Sequence, residues 1–379
     1  MAAFELASPG RIVFGAGVVD RVGPALTALK ARRILLVTGR SSRWSEAISA
    51  TIDAEAVGFV VPGEPTLAMV SDGRALATAK KCDAVVAFGG GSAIDAGKAI
   101  AVLAGNEGDI LEHMEIVGKA KPLPRPGLPC IAIATTAGTG AEVTKNSVLA
   151  SPQAKVKASL RSPHLLPILA LVDPNLLEGM PSSVLAATGL DALSHLLESF
   201  VSLRANAFTI ALGKEGMGRI ARSLLPAFQL GLDAERREDL ALASLFGGLC
   251  LSNSGLGAVH GFAAPLGGMW KTPHGAVCAA LLPAVMAANI SALEKRAPKS
   301  PSLARYRELN RFLAQGSDAA RWVADLTEAL AIPKLSAMGV RPDDVPLLVE
   351  KAKVASSMRG NPIVLTDEEL TAIVHASLD

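Results

Sequence analysis

The sequence predicts an α/β N-terminal domain built on a parallel sheet, followed by an all-α C-terminal domain. Three observations carry that expectation. The chain has 379 residues, more than one ordinary core of about 100–200 residues accommodates, which points to two domains. Short β-rich runs alternate with helical stretches through the first half. From about Pro181 the pattern changes to long segments with apolar residues at helical spacing. The expected division is residues 1–180 and 181–379.

The expected strands are residues 34–38 (ILLVT), 57–61 (VGFVV), 84–88 (AVVAF) and 130–135 (CIAIAT), with helices at 67–81 and 93–104 between them. This βαβα rhythm builds a parallel sheet with helices on both faces. The runs are continuously apolar rather than alternating, as strands buried on both faces require. In the second half, residues 184–201, 207–230, 234–250 and 275–288 read as helices, separated by Pro and Gly clusters.

Composition narrows the function. Half of the residues are hydrophobic and 19% are charged, which suits a large core and not a disordered chain. The formal net charge is +2 and no block of like charges occurs, so no nucleic-acid partner is expected. No apolar run reaches the roughly 18–20 residues of a membrane helix. The opening MAAFELASPG carries an acid early and lacks a basic stretch followed by an apolar one. No membrane partner and a cytoplasmic location are expected. Cys82, Cys130, Cys250 and Cys278 lack CxxC spacing and read as buried reduced thiols. Cys278 stands apart because it follows His274 closely.

Residues 88–98 read FGGGSAIDAGK, a buried strand running into three glycines and then a helix expected to start near Ser92. Such glycines let backbone N–H groups approach a phosphate, and a helix N-terminus adds favourable partial positive charge. Ser92 suits a cap or a phosphate contact, and Asp95 is expected in the first helical turn. The motif is neither GxGxxG nor GxxxxGK[ST]; a plain tight turn is the alternative. A second loop, residues 135–144 (TTAGTGAEVT), follows another apolar strand and suits polar cofactor contacts at the carboxyl end of the sheet. Its alternative is a Thr-rich turn with self-satisfied hydroxyls.

Asp191 and His195 lie four apart in ATGLDALSHLLESF, on one helical face. Downstream, GAVHG and TPHG supply His260 and His274. One carboxylate and three imidazoles suit Fe²⁺ or Zn²⁺ with an open position for substrate. Spacing alone leaves other readings open: Asp191 as a surface acid, His195 as a satisfied core histidine, and His260 and His274 too far apart for a local chelate. His113, His164 and His375 have no such contexts and read as surface or structural.

Together these motifs resemble the iron-containing (group III) alcohol dehydrogenase family. The residues that carry the resemblance are GGGSAIDAGKAIA at 89–101, TTAGTGAEVT at 135–144, DALSH at 191–195, VHGFAAPLGGMWKTPHG at 259–275 and MRGNPIVLTDEEL at 358–370. Their order and spacing extend over essentially the whole chain. The resemblance implies a Rossmann-like domain, a helical domain and a cleft between them, an architecture shared with dehydroquinate synthase. It implies a divalent metal on Asp191, His195, His260 and His274, Fe²⁺ first and Zn²⁺ second. It implies a cofactor pyrophosphate at Gly89, Gly90, Gly91 and Ser92, with Asp95, Thr135, Thr136, Thr139, Thr144 and Lys157 where the family contacts the cofactor. Hydride would pass between NAD or NADP and a small alcohol or aldehyde. A homodimer or larger homo-oligomer is also implied.

Two positions depart from the family pattern. Many members have a histidine four residues after the third ligand, where this chain has Ala264, so a proton relay through that residue does not carry over. NAD-preferring relatives often place an acid where Gly39 stands. Without it, Arg40, Ser41, Ser42 or Arg43 becomes a candidate for a 2′-phosphate, so NADP(H) is expected to be accepted. Other activities stay open on sequence: a metal-free reductase similar to maleylacetate reductase, a glycerol dehydrogenase-like enzyme, a lyase of the dehydroquinate synthase type, or a non-enzymatic nucleotide-binding protein. Phe262, Met269 and Trp270 read either as pocket residues or as core.

Overall fold

The computed structural model describes residues 3–40, 44, 48, 50–270 and 272–378. Ser41, Ser42 and Arg43, three of the expected 2′-phosphate candidates, lie outside the described residues. The chain divides into two compact units, Leu6–Glu178 and Gly179–Asp379 with Met1–Glu5.

In the first unit, the described residues form one sheet of six parallel strands. They are β1 (Ile12–Phe14), β2 (Arg33–Gly39), β3 (Glu55–Val61), β4 (Ala84–Gly89), β5 (Cys130–Ala134) and β8 (Leu169–Val172), and a separate antiparallel hairpin pairs β6 (Asn146–Ser151) with β7 (Val156–Arg161). Its helices include α1 (Val22–Ala28), α2 (Leu67–Ala79) and α3 (Gly91–Ala104). Alternate residues of one strand enter different cores. Ile34 and Leu36 pack with Val86, Phe88, Ile131 and Leu171 on one face, whereas Leu35 and Val37 pack with Val85, Ala87 and Ile100 on the other. Each such fully buried Val, Leu, Ile or Phe side chain contributes about 1.5–3 kcal/mol, which is why continuous apolar runs became the central strands. β3 is an edge strand, and there burial alternates.

The strand order is β1-β8-β5-β4-β2-β3. The chain leaves β2 for β3 on one side and returns to β4 on the other, so the order reverses between β2 and β4. Ligands of open parallel sheets bind outside the carboxyl ends at that reversal, which here lies at Gly39 and Gly89.

The second unit is helical: α4 (Ser182–Val201), α5 (Ala207–Leu230), α6 (Ala234–Ser254), α7 (Ala258–Met269), α8 (His274–Arg296), α9 (Pro301–Phe312), α10 (Ala319–Ala329), α11 (Val345–Lys353) and α12 (Asp367–Leu378). α4 packs against α5, α6 and α8, and every residue from Gly189 to Val201 is buried. A helix buried all round is central. α7 leaves α6 at a bend of 100°.

One expectation needs correction here. α4 and α8 are long and apolar enough on average to cross a membrane, although most of each is buried within the protein. The run-length criterion missed them because isolated polar residues such as Asp191, His195 and Glu198 interrupt the apolar run of α4 without offsetting its mean. Their apolar surface is used against neighbouring helices.

Candidate active site

β4 runs into Gly89, whose φ of +148° favours glycine; a Cβ there would stand 2.9 Å from Ala93 Cβ. Gly90 is the extended N-cap of α3 and no side chain caps the helix. Its first backbone N–H groups therefore have no side-chain cap, at the end of the helix that favours an anion. The helix starts at Gly91, earlier than the expected start near Ser92. Ser92 consequently sits inside the first turn and does not cap it, and Asp95 falls beyond the first turn, where the dipole argument does not reach it.

The second loop closes over these glycines. Thr135 N donates to Gly89 O at 2.9 Å. The Thr136 side chain lies 3.2 Å from where a Gly90 Cβ would be, and Thr139 lies 2.8 Å from the equivalent Gly91 position. A side chain on Gly91 would fill this cradle. Gly39 adjoins it: its N is 3.5 Å from the Gly89 Cβ position, while a Cβ on Gly39 itself would meet nothing within 4 Å. Arg40 is exposed.

Three of the expected cofactor residues also bond to the protein. Asp95 Oδ2 accepts from Val148 N at 3.0 Å and its Oδ1 is 3.3 Å from Lys98 Nζ. Lys98 is fully buried and donates to Ala141 O at 2.7 Å, Thr144 Oγ1 at 2.8 Å and Asn146 O at 2.5 Å. Lys157 Nζ pairs with Glu64 Oε1 at 2.9 Å. Asp95, Thr144 and Lys98 thus form one network that fixes α3, the second loop and β6. Lys98 received no role from sequence, although its place four residues after Ile94 in the glycine motif was visible; an apolar segment around a lone lysine was the available signal.

In the helical unit the four expected metal residues come together. α4 carries Asp191 and His195, α7 carries His260, and α8 begins at His274. The close approach of α8 to α4 depends on Gly275, where a Cβ would stand 2.4 Å from Ala187 O. Asp191 Oδ1 lies 3.5 Å from His260 Nε2, 3.8 Å from His274 Nε2 and 3.9 Å from His195 Nε2. This oxygen is buried and has no hydrogen-bond partner. A buried orphan oxygen ringed by imidazole nitrogens fits a divalent cation between them. The rings of His195 and His260 stack at 4.6 Å.

Electrostatics agree with that fit. Burial alone would push the Asp191 carboxyl up, but His195, His274 and His260 together hold it well below the usual carboxylate range. Burial pushes the His260 and His274 imidazoles down, and Cys278 and Asp191 beside them more than offset it, leaving both above the ordinary value. Carboxylate and imidazoles thus stabilise one another's charged forms. The His274 side chain is 32% exposed, against 2% for Asp191 and 6% for His260, so the centre is open on the His274 side.

Two neighbours were not assigned roles from sequence. Glu198 Oε2 is 2.7 Å from His260 Nδ1, and its Oε1 accepts from Val259 N at 2.7 Å. That bond turns His260 Nε2 toward Asp191. Its spacing, three beyond His195 and seven beyond Asp191 on α4, was the legible signal. Cys278 Sγ lies 3.6 Å from His260 Nε2 and 3.7 Å from His274 Nε2. All four cysteines are free and buried. Ala264 is half-buried one turn beyond His260, Phe262 is fully buried core, and Met269 and Trp270 are half-buried. His164 and His375 are exposed, and His113 Nδ1 is 2.9 Å from Lys121 O.

The sequence matches the family model for iron-containing alcohol dehydrogenase over residues 9–174, and the model for the C-terminal region of the Fe-containing alcohol dehydrogenase family over 185–378. It is 34% identical to 1,3-propanediol dehydrogenase of Klebsiella pneumoniae, covering 98% of this chain and 97% of that protein. It is 32% identical to the NAD-dependent methanol dehydrogenase of Bacillus methanolicus, covering 98% of each. A crystal structure of 1,3-propanediol oxidoreductase superposes with a TM-score of 0.89 at 34% identity, over 99% of this chain and 100% of that one. With both halves matched and full-length relatives acting on alcohols, the chain belongs to the iron-containing alcohol dehydrogenase family and is an alcohol/aldehyde oxidoreductase.

Proposed function

We propose that this oxidoreductase passes a hydride between NAD(P)(H) and a small alcohol or carbonyl compound, at a divalent metal held by Asp191, His195, His260 and His274. The observation that carries the reading is Asp191 Oδ1, buried without a hydrogen-bond partner and facing three imidazole nitrogens. When bound, the metal supplies Lewis acidity to the substrate oxygen and the nicotinamide gives or takes the hydride. Glu198 fixes the ring orientation of His260, and the exposed edge of His274 leaves access for a small substrate. Gly89, Gly90, Gly91 and Ser92 take the pyrophosphate, with Thr135, Thr136 and Thr139 beside them. Asp95, Thr144 and Lys157 support these loops through their bonds to the protein. Ala264 holds no proton, so proton transfer does not use that position.

The family implies a divalent metal and NAD(H). Fe²⁺ or Zn²⁺ suits the nitrogen and oxygen donors. Gly39, with open space at its Cβ, supports acceptance of NADP(H) as well. A cytoplasmic location is supported by four thiols free of disulfides. The homodimer or larger homo-oligomer is checked by light scattering.

The test is elemental analysis of freshly purified protein, paired with NADH- and NADPH-dependent reduction of an aldehyde panel. His274→Ala should lose metal and turnover together. Full turnover by a metal-free His274→Ala protein overturns the metal centre.

A further inference from the structure

α7 begins just after its bend from α6, and nothing local caps it: Gly257 is the N-cap and makes no side-chain bond. The first N–H groups of a helix have no partner within it. Here two buried side chains from distant parts of the chain take them. Asn361 Oδ1 accepts from Ala258 N at 3.1 Å, and Glu198 Oε1 accepts from Val259 N at 2.7 Å. The two oxygens converge, since a Cβ on Gly257 would stand 2.8 Å from the first and 2.9 Å from the second. The next residue along α7 is His260. Asn361 belongs to the C-terminal motif MRGNPIVLTDEEL, which contributes no candidate ligand. Glycines let that motif approach: a Cβ on Gly360 would stand 2.0 Å from Leu256 O, and one on Gly261 would stand 2.7 Å from Met358 Cε. Asn361 is itself held in place. Its Nδ2 donates to Asn289 Oδ1 and to Ile363 O, each at 2.7 Å. Asn289 Nδ2 donates back to Asn361 Oδ1 and also to Tyr306 Oη, each at 3.2 Å. Asn289 lies on α8 and Tyr306 on α9, and all three residues are buried. Flipping the Asn361 amide would set its donors against Ala258 N, so the network fixes its orientation.

We propose that Asn361, locked by Asn289, is a positioning residue for the active site: it fixes the first turn of α7 and with it the direction from which His260 meets the metal. The inference rests on the reading of His260 as a ligand and leaves the set of four donors unchanged. Glu198 orients the ring of His260, whereas Asn361 sets the turn of helix that carries it. Without Asn361, Ala258 N is buried with no acceptor, and the turn shifts to find one. A binding constellation works only while its supporting side chains hold it within about 0.5 Å.

The full-length protein is stripped with a chelator and reloaded with Co²⁺, and binding is read by equilibrium dialysis and visible absorption. Folded Asn361→Ala should bind Co²⁺ about tenfold or more weakly than wild type and show altered d–d bands. Asn289→Ala, which frees Asn361 from behind, should change both in the same direction by a smaller factor. A folded Asn361→Ala protein with the wild-type affinity and spectrum overturns the inference, whatever stability it has lost, because a merely structural cap leaves the folded site intact. Coupling between two sites is reciprocal, so the wild type supplies a test that stands even if both variants misfold. Met358 N and Asn361 N each donate at 3.1 Å, to Ala355 O and Met358 O. Adding Zn²⁺ to stripped wild-type protein should slow hydrogen exchange at these two amides, although no candidate ligand lies in their segment. Unchanged exchange there, in protein that binds the ion, overturns the inference and leaves the metal centre standing. Absence of any Co²⁺ uptake by the wild type overturns the metal centre and this inference together.

Discussion

Glu198 is a buried carboxylate with both oxygens engaged, one by Val259 N and one by His260 Nδ1, each at 2.7 Å. It fixes which nitrogen of His260 faces the site. A glutamine there keeps the shape but removes the charge that raises the basicity of the ring. Glu198→Gln should weaken metal binding by roughly 10–100-fold, the usual effect of losing such a partner, read by competition against a chromophoric chelator. Unchanged affinity would deny Glu198 this positioning role. Glu142, in the Thr135–Thr144 loop, makes a different argument. Burial pushes its carboxyl from an ordinary 4.5 up to about 7. The folded state then holds this proton more tightly than the unfolded chain. Its contribution to stability is complete below about 4.5 and is lost as pH rises through about 7. Glu142→Gln keeps the neutral form at every pH. Relative to wild type, it should gain about 3 kcal/mol between pH of about 4 and about 8, measured by urea unfolding. Parallel pH profiles for the two proteins would show that Glu142 titrates normally.

At the scale of elements, the parts of the fold that were legible are those where one physical demand dominates. β2, β4 and β5 are apolar on both faces, so their sequences read as unbroken runs. α4, α5 and α6 follow helical spacing because each buries a wide face. β1 and β8 have three and four residues, too few to display a period. The β6–β7 hairpin is held by long-range bonds such as Val148 N to Asp95 and Lys98 to Asn146 O, and these leave no local signature. The same divide runs through the site. Asp191 and His195 share one helix and announce themselves by spacing, whereas Cys278 reaches His260 only through the packing of α7 on α8. The carboxyl edge of the sheet yields an element-scale prediction. Gly39 ends β2 beside the Gly89 turn, with an ordinary φ and open space at its Cβ, so an acid is sterically tolerated there. Gly39→Asp should raise the ratio of kcat/KM for NADH over NADPH by about tenfold or more, since a carboxylate accepts from ribose hydroxyls and repels a 2′-phosphate. An unchanged ratio would place cofactor discrimination elsewhere.

At the scale of the whole molecule, the two ligands of the proposed reaction use different units of the chain. The candidate cofactor loops belong to Leu6–Glu178, and every candidate metal donor belongs to Gly179–Asp379. A ligand stabilises the state that binds it, by about 2.7 kcal/mol at a hundredfold excess over Kd. The donors sit on α4, α7 and α8, and α4 and α8 pack together in the interior of their unit, as do α7 and α8. An ion that ties three helices therefore opposes their separate local opening. Hydrogen exchange of the full-length protein should show this directly. Adding Zn²⁺ to chelator-stripped protein should slow exchange across α4, α7 and the first turns of α8, with little change in β2, β4 and β5. Adding NADH should slow exchange at the first turns of α3 and in the Thr135–Thr144 loop. Protection by Zn²⁺ confined to the sheet, or spread evenly over both units, would contradict a centre built from these three helices. Protection by NADH that spares the Gly89 turn would remove the cradle from cofactor binding.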